Sequence, residues 1–262
     1  LYNGVKLFTR GGRDATEDVT RDIGARANAV IEAEIPAMPY DEAMARGIVR
    51  EIDPQNDYID AIIRAIDMDA IREGGVQIVL DPMYGVSRAS LLTILLTARC
   101  DVSVIHEQRD ALFGGRLPAP SVQTLGALRG EVVKRRADIG IATDGDADRL
   151  GIIDDMGRFI HPNQILALMY YYLLNNKGWR GCAVRNLATT HLLDEVAAAF
   201  GETCVETPVG FKYISAAMRE HDALIGGESS GGLAVRGHIS GKDGIYAAAL
   251  LVEMLCVTGK KL

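Results

Sequence analysis

The chain has 262 residues, of which 48% are hydrophobic and 24% are charged, a composition typical of a folded globular protein long enough for two domains. Its net charge of −7 and its pI of about 5.3 argue against nucleic acid or an anionic membrane surface as the main partner. The longest apolar stretch, residues 246–257, contains Glu253 and is too short to span a bilayer, and no signal peptide is recognisable. We therefore predict a cytoplasmic protein with no membrane partner.

The first part of the chain predicts two helices separated by a linker. Apolar residues recur at helical spacing over residues 14–35, and Pro36 and Pro39 then end the pattern. A second amphipathic helix is predicted over residues 57–73.

From residue 76 onward, strand and helix patterns alternate. The predicted strands are residues 76–81, 101–106, 137–142, 149–154, 182–187, 203–207 and 223–227. The predicted helices are residues 87–98, 121–136, 162–176, 190–200, 212–221 and a closing helix that begins at, and is capped by, Asp243. This alternation predicts an α/β layered fold. No sequence repeat is visible, but the blocks beginning near 57 and 162 are candidates for structural relatives.

The four cysteines are far apart along the sequence and form no CxxC motif. Such spacing predicts neither a disulfide framework nor a zinc site, and it favours buried thiols in a reducing compartment. These residues are Cys100, Cys182, Cys204 and Cys256.

The segment TDGDADR, residues 143–149, places three carboxylates at alternate positions between two predicted strands. Asp144, Asp146 and Asp148 would repel one another on a short turn unless a cation lies among them, so the pattern predicts a site for a hard divalent metal. An EF-hand is excluded because that loop requires Gly at its sixth position and Glu at its twelfth, where this chain has Arg149 and Asp155. A solvated acidic turn is the alternative, and the adjoining Arg149 favours a metal with a phosphate nearby.

Three further loops carry polar groups at predicted strand ends, where open α/β sheets bind ligands. The segment GGESSGG, residues 226–232, combines glycines with Glu228 and Ser230, which suits a polyhydroxylated ligand or an ordinary flexible turn. The segment 207–211 precedes a predicted helix whose amino end would attract an anion, and the segment 236–244 places His238 and Lys242 before the closing helix. The candidate binding residues of these two segments, with one arginine near a strand end, are Thr207, Gly210, His238, Lys242 and Arg185, and each also has an ordinary structural interpretation.

In this order, the segments TDGDADR, TPVGFK, GGESSGG and GHISGKDG closely resemble the phosphohexomutase family, which includes phosphoglucomutases and phosphomannomutases. The resemblance covers nearly the whole chain and implies consecutive three-layer α/β/α domains with mixed sheets. Residues 1–40 would be the tail of a first domain and a linker, residues 41–157 a second domain with the metal-binding loop, and residues 158–262 a third domain with the sugar-binding loop.

The resemblance also implies roles for the acidic and Gly/Ser loops. Asp144, Asp146 and Asp148 would hold Mg²⁺. Glu228 and Ser230, within the family's Gly-Glu-x-Ser-Gly motif, would bond sugar hydroxyls. Many phosphomannomutases have His after this motif, at the position of Gly232 here.

The opening residues LYNGVK match the pattern that follows the family's phosphorylated serine motif, Ser-His-Asn-Pro. Lys6 would then correspond to the lysine proposed as a general acid/base near the transferring phosphate. The phosphoserine would precede Leu1, and the family's fourth domain would follow Leu262, so the resemblance implies that this chain alone does not turn over substrate.

The implied reaction of the whole protein moves phosphate between O1 and O6 of a phosphorylated hexose, through phosphoserine and a hexose 1,6-bisphosphate. Mg²⁺ and Arg149 would neutralise charge on the transferring group. Glucose is the first choice of sugar, and a phosphomannomutase or a phosphoglucosamine mutase is the alternative. Two other classes stay open: a metal-dependent phosphatase with an aspartyl nucleophile in the DxD pattern of Asp144 and Asp146, and a non-catalytic protein that binds sugar phosphates.

Overall fold

The structure, a computed structural model, describes residues 5–10, 12–32 and 35–262. Two short strands pair antiparallel near the start of the chain, and two helices follow them. These elements are β1 (Phe8–Thr9), β2 (Arg13–Asp14), α1 (Glu17–Ala29) and α2 (Tyr40–Ala45). Helix α1 is shorter than the predicted helix over 14–35, since it buries no side chain and tertiary packing therefore does not stabilise further turns.

A five-stranded sheet with helices on its faces forms the first layered unit. Its elements in chain order are α3 (Gln55–Ala65), α4 (Met68–Gly74), β3 (Gln77–Asp81), α5 (Ser87–Thr97), β4 (Asp101–Val104), α6 (Gly126–Arg135), β5 (Ile139–Thr143), β6 (Leu150–Asp154) and β7 (Phe159–Ile160). The strand order is β4-β3-β5-β6-β7, in which β3 is parallel to β4 and β5, while β6 is antiparallel to β5 and β7.

A four-stranded sheet forms the second layered unit. Its elements are α7 (Pro162–Asn175), β8 (Ala183–Asn186), α8 (Leu192–Ala199), β9 (Cys204–Thr207), α9 (Phe211–Glu220), β10 (Ile225–Gly227), β11 (Leu233–Val235) and α10 (Gly244–Thr258). The strand order is β9-β8-β10-β11, in which β8 is parallel to both neighbours and β11 is antiparallel to β10.

The two units share one topology. Strands β4-β3-β5-β6 of the first correspond in order and direction to β9-β8-β10-β11 of the second. Helix α6 covers one face of the first sheet and α9 covers one face of the second, while the other faces meet in a common apolar core. The predicted α/β class with mixed sheets is confirmed, and the two blocks are related in their topology.

Helix α10 joins the two units. It is buried from Gly244 to Met254 and contacts α4, α5 and β6 of the first unit as well as α7 and β11 of the second. The fully buried Glu253 carboxylate accepts hydrogen bonds from Tyr172 (2.5 Å), from Lys177 (2.6 Å) and from the backbone N–H of Asp67 (2.6 Å). Within the described part of the chain, no helix combines the length and the apolarity needed to cross a membrane.

The prediction of a single helix over residues 57–73 is wrong, because the chain is extended at Ile66 between α3 and α4. Asp67 begins the second helix by accepting the backbone N–H of Ala70 (2.9 Å), as expected of a helix N-cap. The predicted cap at Asp243 is confirmed, since its side chain accepts the N–H groups of Ile245 and Tyr246 at the start of α10.

The cysteines are free thiols, as predicted. Cys100 and Cys182 are buried, while Cys204 and Cys256 are partly exposed. Burial raises the pKa of the Cys100 and Cys204 thiols to about 12, so that both stay protonated and unreactive near neutral pH.

Candidate functional site

The acidic segment forms the loop between β5 and β6, which we call the metal loop (residues 144–149). One carboxylate oxygen from each of Asp144, Asp146 and Asp148 can be chosen so that all three lie within 4.8 Å of one another. Opposite ligands of Mg²⁺ lie about 4.2 Å apart, because each Mg²⁺–oxygen distance is about 2.1 Å. Small side-chain movements would therefore let this all-oxygen donor set hold the ion.

Asp144 is the anchor of the metal loop. It follows β5 directly and is only 1% exposed. One carboxylate oxygen accepts the backbone N–H groups of Asp148 (2.9 Å) and Arg149 (3.0 Å), and the other accepts the Arg149 guanidinium (2.5 Å). Burial raises the pKa of Asp144, and the nearby charge of Asp148 acts in the same direction, against the hydrogen bonds from Arg149. A bound cation would favour the ionised form.

Basic side chains balance the other two carboxylates. Lys6 Nζ lies 3.7 Å from an Asp146 oxygen, and Lys242 Nζ lies 2.6 Å from an Asp148 oxygen. Arg149 Nε lies 3.6 Å from the second Asp148 oxygen. The structure thus brings three predicted basic residues, two of them distant in sequence, to the metal loop. Tyr2, Asn3 and Gly4, which belong to the predicted opening motif, lie outside the described residues.

The Gly/Ser segment forms the loop between β10 and β11, which we call the sugar loop (residues 228–232). The backbone N–H of Glu228 donates to the Gly232 carbonyl (2.9 Å), and that of Gly231 donates to the Glu228 carbonyl (3.1 Å). The Ser230 hydroxyl lies 3.4 Å from one Glu228 carboxylate oxygen. The loop therefore presents a carboxylate and a hydroxyl side by side, which suits recognition of vicinal sugar hydroxyls.

The two loops touch each other. The backbone N–H of Leu150, just after the metal loop, donates to the Gly231 carbonyl (3.1 Å). Gly231 has a φ of +98°, and a Cβ at this position would lie 2.6 Å from the Leu150 carbonyl oxygen, so only glycine fits. The amino end of α10 also contacts the metal loop, because the Gly244 N–H donates to the Ala147 carbonyl (2.9 Å).

A cavity of about 550 Å³ lies beside the metal loop. Polar side chains from three parts of the chain line it, among them Asp146, Asp148, Lys242, Tyr58 and Ser90. Its lining comes from the first unit and from the segment that leads into α10, so the cavity lies between the two units. Its size falls within the range of small-molecule sites.

Arg185 and Thr207 lie at the ends of neighbouring strands but are engaged within the protein. The guanidinium of Arg185, 3% exposed, donates to Asp194 (2.7 Å) and Glu206 (2.7 Å). The hydrogen bond to Asp194 raises the pKa of Arg185 despite its burial. The Thr207 hydroxyl donates to the carbonyl of Pro208 (3.1 Å).

Gly210 precedes helix α9, and its φ of +127° favours glycine. Gly210 is the N-cap of α9, a helix of ten residues. The amino end of such a helix can hold an anion, because its first backbone N–H groups have no partner within the helix. Lys212, in the first turn of α9, donates to Glu17 of α1 (3.2 Å).

His238 belongs to a hydrogen-bonded group centred on Asp243, the residue that follows Lys242. Its Nε2 lies 2.7 Å from an Asp243 oxygen, and its ring stacks on Tyr246 with 4.3 Å between centroids. The hydroxyl of Tyr58, which belongs to α3 of the first unit, donates to the same Asp243 carboxylate at 2.8 Å. Burial, followed by the Asp243 charge, raises the pKa of Tyr58. This group fixes the residue next to Lys242.

Comparison with known families decides what these loops belong to. The family model "Phosphoglucomutase/phosphomannomutase, alpha/beta/alpha domain II" matches residues 56–157, and the model for domain III of the same family matches residues 161–262. The chain belongs to the phosphoglucomutase/phosphomannomutase family. The predicted family is confirmed, while the finer limits 1–40, 41–157 and 158–262 stay a prediction.

Relatives within the phosphoglucomutase/phosphomannomutase family cover almost the whole chain. A protein of Thermococcus kodakarensis named "Phosphoglucomutase/phosphomannomutase" is 31% identical over 99% of this chain and 56% of its own length. A protein of Pyrococcus abyssi named "Probable phosphoglucosamine mutase" is 31% identical over 97% of this chain and 54% of its own length. A Paramecium phosphoglucomutase structure, pp63/parafusin, has a TM-score of 0.82 and 25% identity, covering 99% of this chain and 50% of that one. The chain thus spans about half the length of these relatives.

Two residues near the site were not singled out from the sequence. Asn186, the last residue of β8, donates its side-chain amide to Glu228 (3.0 Å). Tyr58 of α3 reaches Asp243 across the two units. The position of Asn186 at a predicted strand end was an available signal, whereas Tyr58 lies inside an amphipathic helix pattern that indicates only packing.

Proposed function

We propose that this chain forms the metal-binding and sugar-binding parts of a phosphohexomutase, most consistent with a phosphoglucomutase. The whole protein would move phosphate between O1 and O6 of a hexose through phosphoserine and a hexose 1,6-bisphosphate. The observation that carries the proposal is the hydrogen bond from Leu150 to Gly231, which joins the metal loop to the sugar loop. A phosphate near the metal loop and a sugar ring on the sugar loop would then belong to one ligand.

The residues around the metal loop fit a phosphoryl-transfer site. Asp144, Asp146 and Asp148 would hold Mg²⁺, which when bound would neutralise charge on the transferring phosphoryl group. Arg149 and Lys242 lie against these carboxylates and would be available to phosphate oxygens once the carboxylates face a cation. Lys6 would hold or move a proton near the transferring oxygen, in keeping with its place beside Asp146.

The sugar loop would choose the substrate. Glu228 and Ser230 would accept and donate hydrogen bonds to ring hydroxyls, and a site of this kind discriminates strongly against a ligand that lacks the matching groups. Thr207, Gly210 and His238 would shape the walls on either side. Arg185 would act by positioning, since its guanidinium is paired with Asp194 and Glu206.

Glucose remains our first choice of sugar, because Gly232 replaces the His found in many phosphomannomutases. A relative of Komagataeibacter xylinus named "Phosphoglucomutase", 28% identical over 97% of this chain, agrees with that choice. A glucosamine phosphate is the second candidate, since a relative at 31% identity carries the name "Probable phosphoglucosamine mutase". The phosphatase alternative is weaker, because it leaves unexplained the sugar loop and its hydrogen bond with Leu150 beside the metal loop.

Calorimetric titration of the chain tests the proposal. Glucose 1-phosphate, mannose 1-phosphate and glucosamine 1-phosphate are titrated at saturating Mg²⁺, with cyclohexyl phosphate as a control of similar size that lacks ring hydroxyls. We expect glucose 1-phosphate to bind more tightly than the other three ligands. Equal binding of glucose 1-phosphate and cyclohexyl phosphate would contradict hydroxyl recognition by the sugar loop.

A further inference from the structure

The strand register places Asn186 beside the first residue of the sugar loop. Strands β8 and β10 are parallel, and Arg185 pairs with Gly227 in their ladder. The next residues along the two strands are therefore Asn186 and Glu228. Asn186 is 2% exposed, and its side-chain Nδ2 donates to the Glu228 carboxylate at 3.0 Å.

Two other hydrogen bonds fix the orientation of the Asn186 amide. Its oxygen accepts the backbone N–H of Ala188 (3.0 Å) and the hydroxyl of the buried Thr189 (2.8 Å). The backbone N–H of Ala188 can only donate, so the oxygen must face it and the NH₂ group must face Glu228. The amide therefore cannot flip without leaving the Ala188 N–H and one carboxylate oxygen without these partners.

The contact leaves Glu228 half constrained. One carboxylate oxygen receives the Asn186 amide, and the other has, among the residues that the structure describes, only the long 3.4 Å contact with Ser230. A carboxylate held at one oxygen keeps its second oxygen at a defined place, where a hydroxyl can donate to it without first ordering the side chain.

The first unit contains a natural comparison for this arrangement. Asp81 ends β3 as Asn186 ends β8, and Asp144 follows β5 as Glu228 follows β10. Asp81 also accepts the backbone N–H two residues on, at Met83 (2.8 Å), but its carboxylate has no proton to offer a neighbouring acid and instead lies 3.1 Å from His106. The register differs as well, because Asp81 pairs with Ala142, two residues before Asp144, whereas Asn186 lies beside Glu228. Register and amide together therefore join the strand end to the loop in the second unit.

We propose that Asn186 is a positioning residue, which holds the Glu228 carboxylate in the orientation that receives a hydroxyl of the sugar phosphate. The inference rests on the proposed function, because it concerns the sugar-reading role of Glu228. Asn186 itself need not touch the ligand.

The test compares two ligands that differ in ring hydroxyls, glucose 1-phosphate and cyclohexyl phosphate, in calorimetric titrations with Mg²⁺. Asn186→Ala should weaken glucose 1-phosphate about tenfold, the value of one hydrogen bond to a charged group, and leave cyclohexyl phosphate unchanged. Asn186→Asp should weaken glucose 1-phosphate further, because two carboxylates would then face each other.

A matched pair at Thr189 separates orientation from packing. Thr189→Ser keeps the hydroxyl that fixes the Asn186 amide and should bind glucose 1-phosphate like the wild type, whereas Thr189→Val removes it and should bind several-fold more weakly. The Thr189 pair also covers the case in which Asn186→Ala fails to fold, which melting curves would reveal. A ligand-free readout accompanies them: the side-chain NH₂ resonance of Asn186 should shift in Glu228→Ala and stay in place in Ser230→Ala.

The outcomes separate this inference from the proposed function. If the wild type prefers glucose 1-phosphate and Asn186→Ala keeps the same preference, the positioning role is overturned and the sugar site stands. An equal loss for both ligands in Asn186→Ala would also overturn it, since that result marks a general structural role. If the wild type binds the two ligands equally, the proposed sugar reading falls, and this inference falls with it.

Discussion

The metal loop and the sugar loop occupy the same position in two sheets of the same topology, yet they are stabilised in different ways. Each connects the third parallel strand of its unit to an antiparallel partner, and each begins with an acid, Asp144 or Glu228. Asp144 is almost fully buried and takes its hydrogen bonds from its own loop. Glu228 is partly exposed and takes one from a neighbouring strand.

This difference suits two kinds of ligand. A metal ion needs several oxygens at fixed short distances, which a loop folded around its own carboxylate provides locally. A sugar needs a few hydrogen-bonding groups held at the right place and still open to the ligand, which a carboxylate fixed at one oxygen provides. Under the proposed function, one supersecondary arrangement would therefore serve two tasks.

The largest expected effect concerns what neither loop supplies. No serine of the sequence stands in a Ser-His-Asn-Pro context, so we expect the 262-residue chain to bind ligands without sustained turnover. Loss of a covalent nucleophile lowers kcat by roughly 10⁴-fold or more. A coupled assay with glucose 1-phosphate, glucose 1,6-bisphosphate and Mg²⁺ measures this. Sustained turnover by the pure chain would show that the nucleophile has been misplaced.

Removing one metal ligand should affect the metal loop alone. Asp146→Asn replaces an exposed carboxylate, one of the proposed Mg²⁺ ligands, with a neutral amide, and it leaves the buried anchor Asp144 unchanged. Its loss should lower Mg²⁺ affinity by at least the roughly tenfold that loss of an outer hydrogen-bond partner costs a metal site. Calorimetry with Mg²⁺ checks this, and Glu228→Gln is the matched control that should bind Mg²⁺ like the wild type. Equal affinities for wild type and Asp146→Asn would reject the metal assignment.

The reciprocal change should affect the sugar loop alone. Glu228→Gln removes the charge that receives the sugar hydroxyl, and it should weaken glucose 1-phosphate about tenfold while leaving the unfolding midpoint nearly unchanged. In the whole protein the same variant should lower kcat/KM. An unchanged affinity for glucose 1-phosphate would mean that Glu228 does not bind the sugar ring. The contrast between a metal-binding and a sugar-binding loop would then no longer hold.

The smallest expected effect lies where the two loops share a side chain. A Cβ at Gly232 would collide with Cδ of Lys242. The aliphatic part of this side chain passes Gly232 of the sugar loop, and its ammonium group contacts Asp148. Gly232→Ala should therefore displace Lys242 at a cost of about 1 kcal/mol in unfolding free energy and raise Mg²⁺ affinity, because an ammonium no longer competes for Asp148. Gly130→Ala is the control, since an added Cβ there meets nothing.

Gly232→His, the probe of mannose preference, carries the same consequence for Lys242. A gain in mannose 1-phosphate binding would support the link between this position and the sugar. If Lys242 kept its contact with Asp148 in either variant, as judged from its side-chain ammonium resonance, the shared path inferred for Lys242 would be wrong.

The metal loop could be predicted from the sequence because its chemistry is local. Three carboxylates within five residues repel one another whatever the rest of the chain does, and the flanking strand patterns place them on a turn. The charge partners Lys6 and Lys242 became candidates only through family resemblance and through position near a helix start. Their contacts with the loop depend on how distant segments pack.

Other features depend on tertiary contacts that no local pattern records. Asn186 meets Glu228 across 42 residues because two strands pair in one register out of several. Because the chain breaks between α3 and α4, the Asp67 N–H makes no helical hydrogen bond. The Glu253 carboxylate, 186 residues later, accepts a hydrogen bond from it. A periodicity that continues through residue 66 gives no sign of this partner.

Helix α10 also has a consequence for the order in which the protein is made. Strands β3 to β7 have all been synthesised by residue 160, yet the helix that covers part of their common core is complete only at Thr258. Until α10 has been synthesised, part of this apolar face and the Asp67 N–H have no partner from that helix, and we expect such exposed surface to favour association with chaperones or with other nascent chains. The metal loop also lacks one contact until then, because the hydrogen bond from Gly244 to the Ala147 carbonyl forms only after α10 has been synthesised.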